Sequence, residues 1–227
     1  MRRAVLFSLL VGLASGAFSF VSDASFAQNP NKLGAQIFSA PRKPLTEVEK
    51  GDLKRVSDYL NTIKSVQGRF TQIAADGRTV QGTFYLRKPG RIRFEYDKPN
   101  PILIVADGSS VAVSNSQLKT TDRYPLINSP LRLLLSESIN LATDPRIVDI
   151  KKETGVLSFT ARETAGPARG SITLVFADSG QLELRQWEVV DAQGVRTTIA
   201  LNEVRQDANI PPTMFVIQDL SPFKRNN

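Results

Sequence analysis

From Val80 to Tyr96 the sequence alternates with a period of two, broken only by Pro89-Gly90. That rhythm sends successive side chains to opposite faces, so the segment folds as two strands joined by a tight turn and cannot settle as a helix. Val80, Gly82, Phe84, Leu86 and Lys88 share one face of the first strand, and Gln81, Thr83, Tyr85 and Arg87 the other. Across the turn, Ile92, Phe94 and Tyr96 face one way and Arg91, Arg93 and Glu95 the other.

The same rhythm fills most of the chain. A strand carrying Phe70 and Gln72 precedes the hairpin and turns back at Asp76-Gly77. Pro99-Asn100-Pro101 ends the hairpin, residues 102–106 form an apolar run, Asp107-Gly108 leads into Val111 and Val113, and a short strand is expected at 117–121. After Pro145 strands are expected at 146–152, 156–162, 171–177, 182–190 and 195–204, with turns at Thr154-Gly155, Ser179-Gly180 and Gln193-Gly194. Residues 214–217 fit a last short strand.

Two segments depart from this pattern. Thr46 and Glu49 form a capping box, and Leu53, Val56, Leu60 and Ile63 follow as one apolar stripe on a helix expected to run about five turns to near Ser65. Ser129-Pro130 supplies a second helix start, followed by Leu131, Leu133, Leu134, Leu135 and Ile139, apolar on more than one side. The expected fold is mainly β with helices (α+β): a curved antiparallel sheet of about ten or eleven strands, an incomplete half-barrel covered by a helical lid.

Composition removes much chemistry. The 227 residues include no His and no Cys, so thiol nucleophiles, Ser-His-Asp triads, disulfides and metal sites built on imidazole or thiolate are excluded. Carboxylates such as Asp97, Asp107 and Asp122, or a Ser/Lys pair, could serve an enzyme, but none sits in a recognisable motif. The reading is of a non-enzyme with no catalytic residues, no metal and no cofactor.

Arg2 and Arg3, the apolar stretch to Phe20 and the tripeptide Ser25-Phe26-Ala27 have the form of a secretory signal peptide over residues 1–27, with a membrane anchor as the other reading. Cleavage after Ala27 takes the net charge from +7 to +6 and places the chain outside the cytoplasm. Residues 28–45, with three Pro, two Asn and a Gly, read as a flexible lead, 46–221 as the folded domain and 222–227 as a polar tail.

A curved sheet has a concave apolar face, and the two helices are its only covers. Either they fill it, as close packing favours, or they leave a hollow. Resemblance bears on that choice. Val66-Gln67-Gly68-Arg69-Phe70-Thr71-Gln72, then the run from Gly82 through Arg87-Lys88-Pro89-Gly90-Arg91 to Tyr96, then Pro99 and Ala106-Asp107-Gly108, resemble the LolA family of periplasmic outer-membrane lipoprotein carriers. The resemblance is specific over 66–113 and looser over the leucine-rich helix and around Gln186-Trp187.

That family has an unclosed antiparallel barrel lidded by helices. The resemblance implies a carrier that takes acylated lipoproteins from an inner-membrane ABC lipoprotein exporter and delivers them to the outer membrane, with or without an outer-membrane receptor. A monomer that binds no nucleic acid is expected. The cover is physically necessary: at about 0.8 kcal/mol per methylene, three chains of about 15 methylenes amount to roughly 35 kcal/mol of exposure. A periplasmic lipid-binding or envelope-stress sensing module on the same half-barrel is the alternative.

The lipid-binding candidates are Phe70, Phe84, Leu86, Ile92, Phe94 and Tyr96 from the sheet, and Leu60, Ile63, Leu131, Leu134 and Leu135 from the covers. Each reads equally as ordinary core. The family holds its lid with an Arg in the position before the Pro. Here Lys88 stands there, so Lys88, or Arg87 beside it, is the lid-gating candidate; by itself Lys88 reads as a lysine with its stem on the apolar face. Arg91 and Arg93 are candidates for docking an acidic partner or anionic headgroups, or else a solvated face.

Overall fold

A computed structural model describes residues 44–166 and 168–221. The expected signal peptide, residues 28–43 of the lead and the tail at 222–227 lie outside the described residues. No helix among the described residues is long and apolar enough to cross a membrane.

Helix α1 spans Glu47–Thr62 and opens on the expected capping box. The Glu49 N–H donates to Thr46 Oγ1 (3.2 Å) and the Thr46 N–H to Glu49 Oε2 (2.7 Å). It stops at Thr62, short of Ser65, because Ile63 is already extended and Ser65 begins the first strand. Leu53, Val56, Leu60 and Ile63 are all buried, so the stripe faces the core as its spacing dictates.

Eleven strands follow: β1 (Ser65–Ala74), β2 (Thr79–Arg87), β3 (Arg91–Tyr96), β4 (Ile102–Asp107), β5 (Ser110–Asn115), β6 (Thr120–Pro125), β7 (Ile147–Glu153), β8 (Val156–Glu163), β9 (Gly170–Asp178), β10 (Leu182–Val190) and β11 (Arg196–Gln206). They form one sheet in the order β6-β5-β4-β3-β2-β1-β11-β10-β9-β8-β7, every pair antiparallel, with β6 and β7 left as open edges. The chain walks outward from the centre to β6, crosses to the opposite edge and walks back to meet β1. That crossover, residues 126–146, is what lies over the concave face alongside α1. The fold is therefore the expected unclosed, helix-covered antiparallel sheet.

Three expectations need correction. The sixth strand lies at Thr120–Pro125 and not at 117–121, because the Asn115 side-chain carbonyl accepts from the Gln117 and Leu118 N–H groups (3.0 and 2.9 Å) and holds 115–119 as a turn, with Lys119 at a positive φ of 52°. The second helix is only the turn α2 (Arg132–Leu135), set between 3₁₀ turns at Leu126–Asn128 and Leu141–Thr143. Ser129 Oγ does accept from Leu131 N–H (3.3 Å), yet a longer regular helix would turn one apolar side to water. The broken path buries Leu131, Leu133, Leu134, Leu135, Ile139 and Leu141 together. Residues 214–217 form no strand; consecutive Pro211 and Pro212 lack ladder donors, and a 3₁₀ turn forms at Pro212–Phe215.

The concave side holds the main core. Phe70 meets Phe94 edge-on at 5.1 Å, Phe94 meets Trp187 at 6.2 Å, and Phe159 stacks on Phe176 at 6.2 Å. Two glycines make room for these rings. A Cβ on Gly68 would stand 2.8 Å from the Phe84 ring. One on Gly82 would stand 2.6 Å from the Phe70 ring and 2.1 Å from the Glu95 carbonyl oxygen. The convex side of β2–β6 carries a smaller cluster, where Ile210 and Phe215 of the C-terminal segment pack on Val105, Tyr85 and Leu103.

Candidate functional site

All the lipid-binding candidates converge. Phe70, Phe84, Leu86, Ile92, Phe94, Leu60, Ile63, Leu131, Leu134 and Leu135 are buried in one cluster, with Tyr96 packed against it. Phe70, Phe84 and Phe94 are only 1–2% exposed. The covers thus fill the concave face, and the surface that could receive acyl chains is occupied by α1 and the crossover. At the β2–β3 turn an open groove of about 410 Å³, lined by Pro89, Gly90, Gly108, Leu126, Ile127 and Leu135, reaches the margin of this seal.

The apolar face carries a polar inlay. The Tyr96 hydroxyl donates to Gln72 Oε1 at 2.6 Å, reaching across β2 over Gly82, and burial pushes the phenol pKa upward. A buried amide needs such a partner to avoid the cost of an unmade bond.

The seal is fastened at the β2–β3 turn. Lys88 ends the apolar row of β2, and its Nζ donates to the Leu60 carbonyl at 2.8 Å. Leu60 lies in the last turn of α1, whose terminal carbonyls have no partner within the helix and carry its negative dipole end. That turn has no basic residue of its own. Lys88 brings the missing cation from the sheet, while the Thr62 hydroxyl donates to the Tyr59 carbonyl (2.7 Å). Burial of the ammonium lowers its pKa from 10.5 to about 8. Two residues on, the Gly90 N–H donates to the Leu135 carbonyl (2.9 Å), the last residue of α2. One turn therefore grips the ends of both covers.

Arg87 does not share this position. It lies on the convex face and donates to the Ile210 carbonyl at 3.2 Å, away from α1 and the crossover, because the period of two separates it from Lys88 by the thickness of the sheet. Arg93 also faces outward, donating to the Met214 carbonyl (3.0 Å) and pairing with Glu95 (2.6 Å). Its guanidinium is engaged within the molecule, whereas Arg91 is half-exposed beside Asp107 of β4. The carboxylates considered for an enzyme do not assemble. Asp97 pairs with Arg69, Asp107 accepts from the Ser109 and Ser110 N–H groups at the other end of the strands, and Asp122 is exposed on β6.

The far half of α1 is fastened by charge. Asp52, buried, accepts from Lys152 Nζ of β7 (2.8 Å) and from Arg55 Nη1 (3.1 Å), and Arg55 spans to Asp178 of β9 (2.7 and 3.2 Å). The Arg55 bond holds the Asp178 carboxyl below its ordinary range. The Leu184 N–H donates to the Tyr59 hydroxyl (3.2 Å). The sequence gives no sign of the contacts from α1 to the sheet, because those partners are 100 or more residues apart.

Residues 61–218 match the family model described as outer membrane lipoprotein carrier protein LolA. A protein of Dechloromonas aromatica named outer-membrane lipoprotein carrier protein is 28% identical over 173 residues, covering 73% of this chain and 82% of the relative. One of the same name from Leptothrix cholodnii is 29% identical over 167 residues, covering 70% and 77%. A solved LolA superfamily protein from Nitrosomonas europaea superposes with a TM-score of 0.37 at 10% identity, covering 73% of this chain and 97% of that one.

Proposed function

Because the chain belongs to the LolA family of outer membrane lipoprotein carriers, we propose that it shields the acyl chains of lipoproteins on their way from the inner to the outer membrane, within the periplasm. The observation that carries this reading is the way the apolar concave face is covered. A second sheet would bury it permanently; two covers fastened through a handful of polar contacts do not. In this reading the closed form is the empty carrier. Release of the Lys88 contact and displacement of α1 and the crossover expose Phe70, Phe84, Leu86, Ile92, Phe94 and Tyr96 to the incoming chains.

Energetics favour an exchange over a one-way capture. The apolar area that the covers lose on opening is regained against acyl chains, so the net binding energy is a difference of two similar terms. A carrier that must also deliver needs that near-balance. Release from an inner-membrane ABC exporter and handover to an outer-membrane acceptor complete the proposed route, with the half-exposed Arg91 as a docking contact.

Adding the mature chain to inner-membrane vesicles that hold newly acylated lipoprotein tests the reading. Lipoprotein should appear in the soluble fraction bound to the chain, and the Lys88→Leu variant should load but transfer poorly. Absence of any soluble complex would sink the carrier function. Transfer by Lys88→Leu equal to the parent would sink the latch alone.

A further inference from the structure

Three hydrogen bonds join the two covers to each other. Asn61 of α1 grips the backbone of Ile139 from both sides: its Nδ2 donates to the Ile139 carbonyl (2.9 Å) and its Oδ1 accepts from the Ile139 N–H (2.9 Å). One helical turn earlier, buried Ser57 accepts from the Leu141 N–H (3.0 Å) while donating to the Leu53 carbonyl (2.7 Å). Ser57 is buried and Asn61 exposed, both beside buried Leu60, Ile139 and Leu141, so parting the covers would break all three bonds together and leave the Ser57 and Leu141 groups without these partners. Most contacts from the covers to the sheet differ in kind. The Gly90–Leu135 and Leu184–Tyr59 bonds start from sheet backbone, but Lys88 to Leu60, Lys152 to Asp52 and Arg55 to Asp178 run through long cationic side chains, those of Lys152 and Arg55 about half-exposed, which can swing away one at a time.

From this contrast we infer that α1 and residues 131–143 of the crossover open as one body, with Asn61 as the residue that couples them and the β2–β3 turn as their shared clasp. The inference rests on reading the covers as a lid. Its consequence is that the concave face is uncovered in a single step and not through a slot beside α1, which suits a cargo with several acyl chains arriving together.

Native-state hydrogen exchange on the full mature chain in low denaturant tests this without any lipoprotein, so its failure is separate from failure of the carrier reading. Arg55→Ala loosens α1 from β9 and touches nothing in the crossover. For one body, the opening-limited exchange of amides in 131–143 rises by the same factor as that of the α1 amides, about two- to fivefold. With Asn61→Ala added, the α1 response persists and the crossover response disappears, an outcome that a merely structural role for Asn61 does not produce. A response confined to α1 in the Arg55→Ala single variant overturns the inference, as does exchange of both covers only with the whole sheet. That single variant decides the matter if Asn61→Ala does not fold.

Discussion

Arg87 and Lys88 are neighbours in sequence and hold opposite faces of the same sheet. Outside, Arg87 and Arg93 reach carbonyls of the C-terminal segment, and Thr121 of β6 accepts from the Leu220 N–H (3.0 Å) as that segment arrives at the sheet edge. Inside, Lys88 reaches the end of α1. Both side chains donate to backbone carbonyls, but a guanidinium stays charged at any working pH and presents a planar fork, whereas an ammonium is compact, strongly hydrated and able to lose its proton. The outer segment is also continuous with β11 and begins with the Asp207 N–H bonded to the Ser65 carbonyl (2.9 Å). In the proposed carrier the outer cover stays and the inner one is released, and two adjacent residues mark the difference.

Breaking the frame that both faces share should have the largest effect. Gly82→Ala places a methyl group against the Glu95 carbonyl and the Phe70 ring, and the crowded backbone has no space to yield. A loss of at least about 3 kcal/mol in denaturant unfolding is expected. Next comes the outer cover. Phe215→Ala empties the centre of the convex cluster and should cost about 3 kcal/mol in the same measurement, while leaving lipoprotein loading intact. Equal damage to loading would erase the distinction between the two covers.

The inner cover should respond to pH and the outer one should not. The lowered pKa of Lys88, about 8 against the ordinary 10.5, means that the closed form binds the proton less well than the open form. Closure is therefore favoured progressively as pH rises from about 8 to 10.5. Below about 8 the full cost of burying the charge is present. Access of a hydrophobic dye to the concave face should fall across that window in the parent and stay flat in Lys88→Leu. A flat profile in the parent would show the ammonium to be solvated. The smallest effect should come from salt: raising ionic strength screens Asp52, Lys152, Arg55 and Asp178 and should increase dye access by no more than a few fold.

The strands and α1 were legible because one face of each is buried, which stamps a period of two or 3.6 on the sequence. The position of Lys88 at the rim followed from the same period, which also places Arg87 on the opposite face; only the family pattern brought Arg87 forward as a gating candidate. What periodicity cannot carry is a side chain that captures backbone. Asn115 reshapes the turn before β6, and Asn61 and Ser57 join segments about 80 residues apart, each with one residue and no repeat. The crossover defeated the helix reading because its leucines point several ways, a pattern that neither period describes. The C-terminal segment is held by carbonyls meeting arginines, and a carbonyl is present at every position.

The order of the strands gives the middle of the chain an unusual mechanical standing. Residues 126–146 are anchored at both edges of the sheet, as a bucket handle is riveted at both rims. A handle swings but does not detach, and its length sets how wide it swings. At roughly 3.3 Å per extended residue, each residue inserted there lengthens the arc without disturbing a single strand register. If the proposed carrier function holds, the bulk of cargo admitted can be retuned by insertion or deletion in that one stretch, leaving the walls as they are.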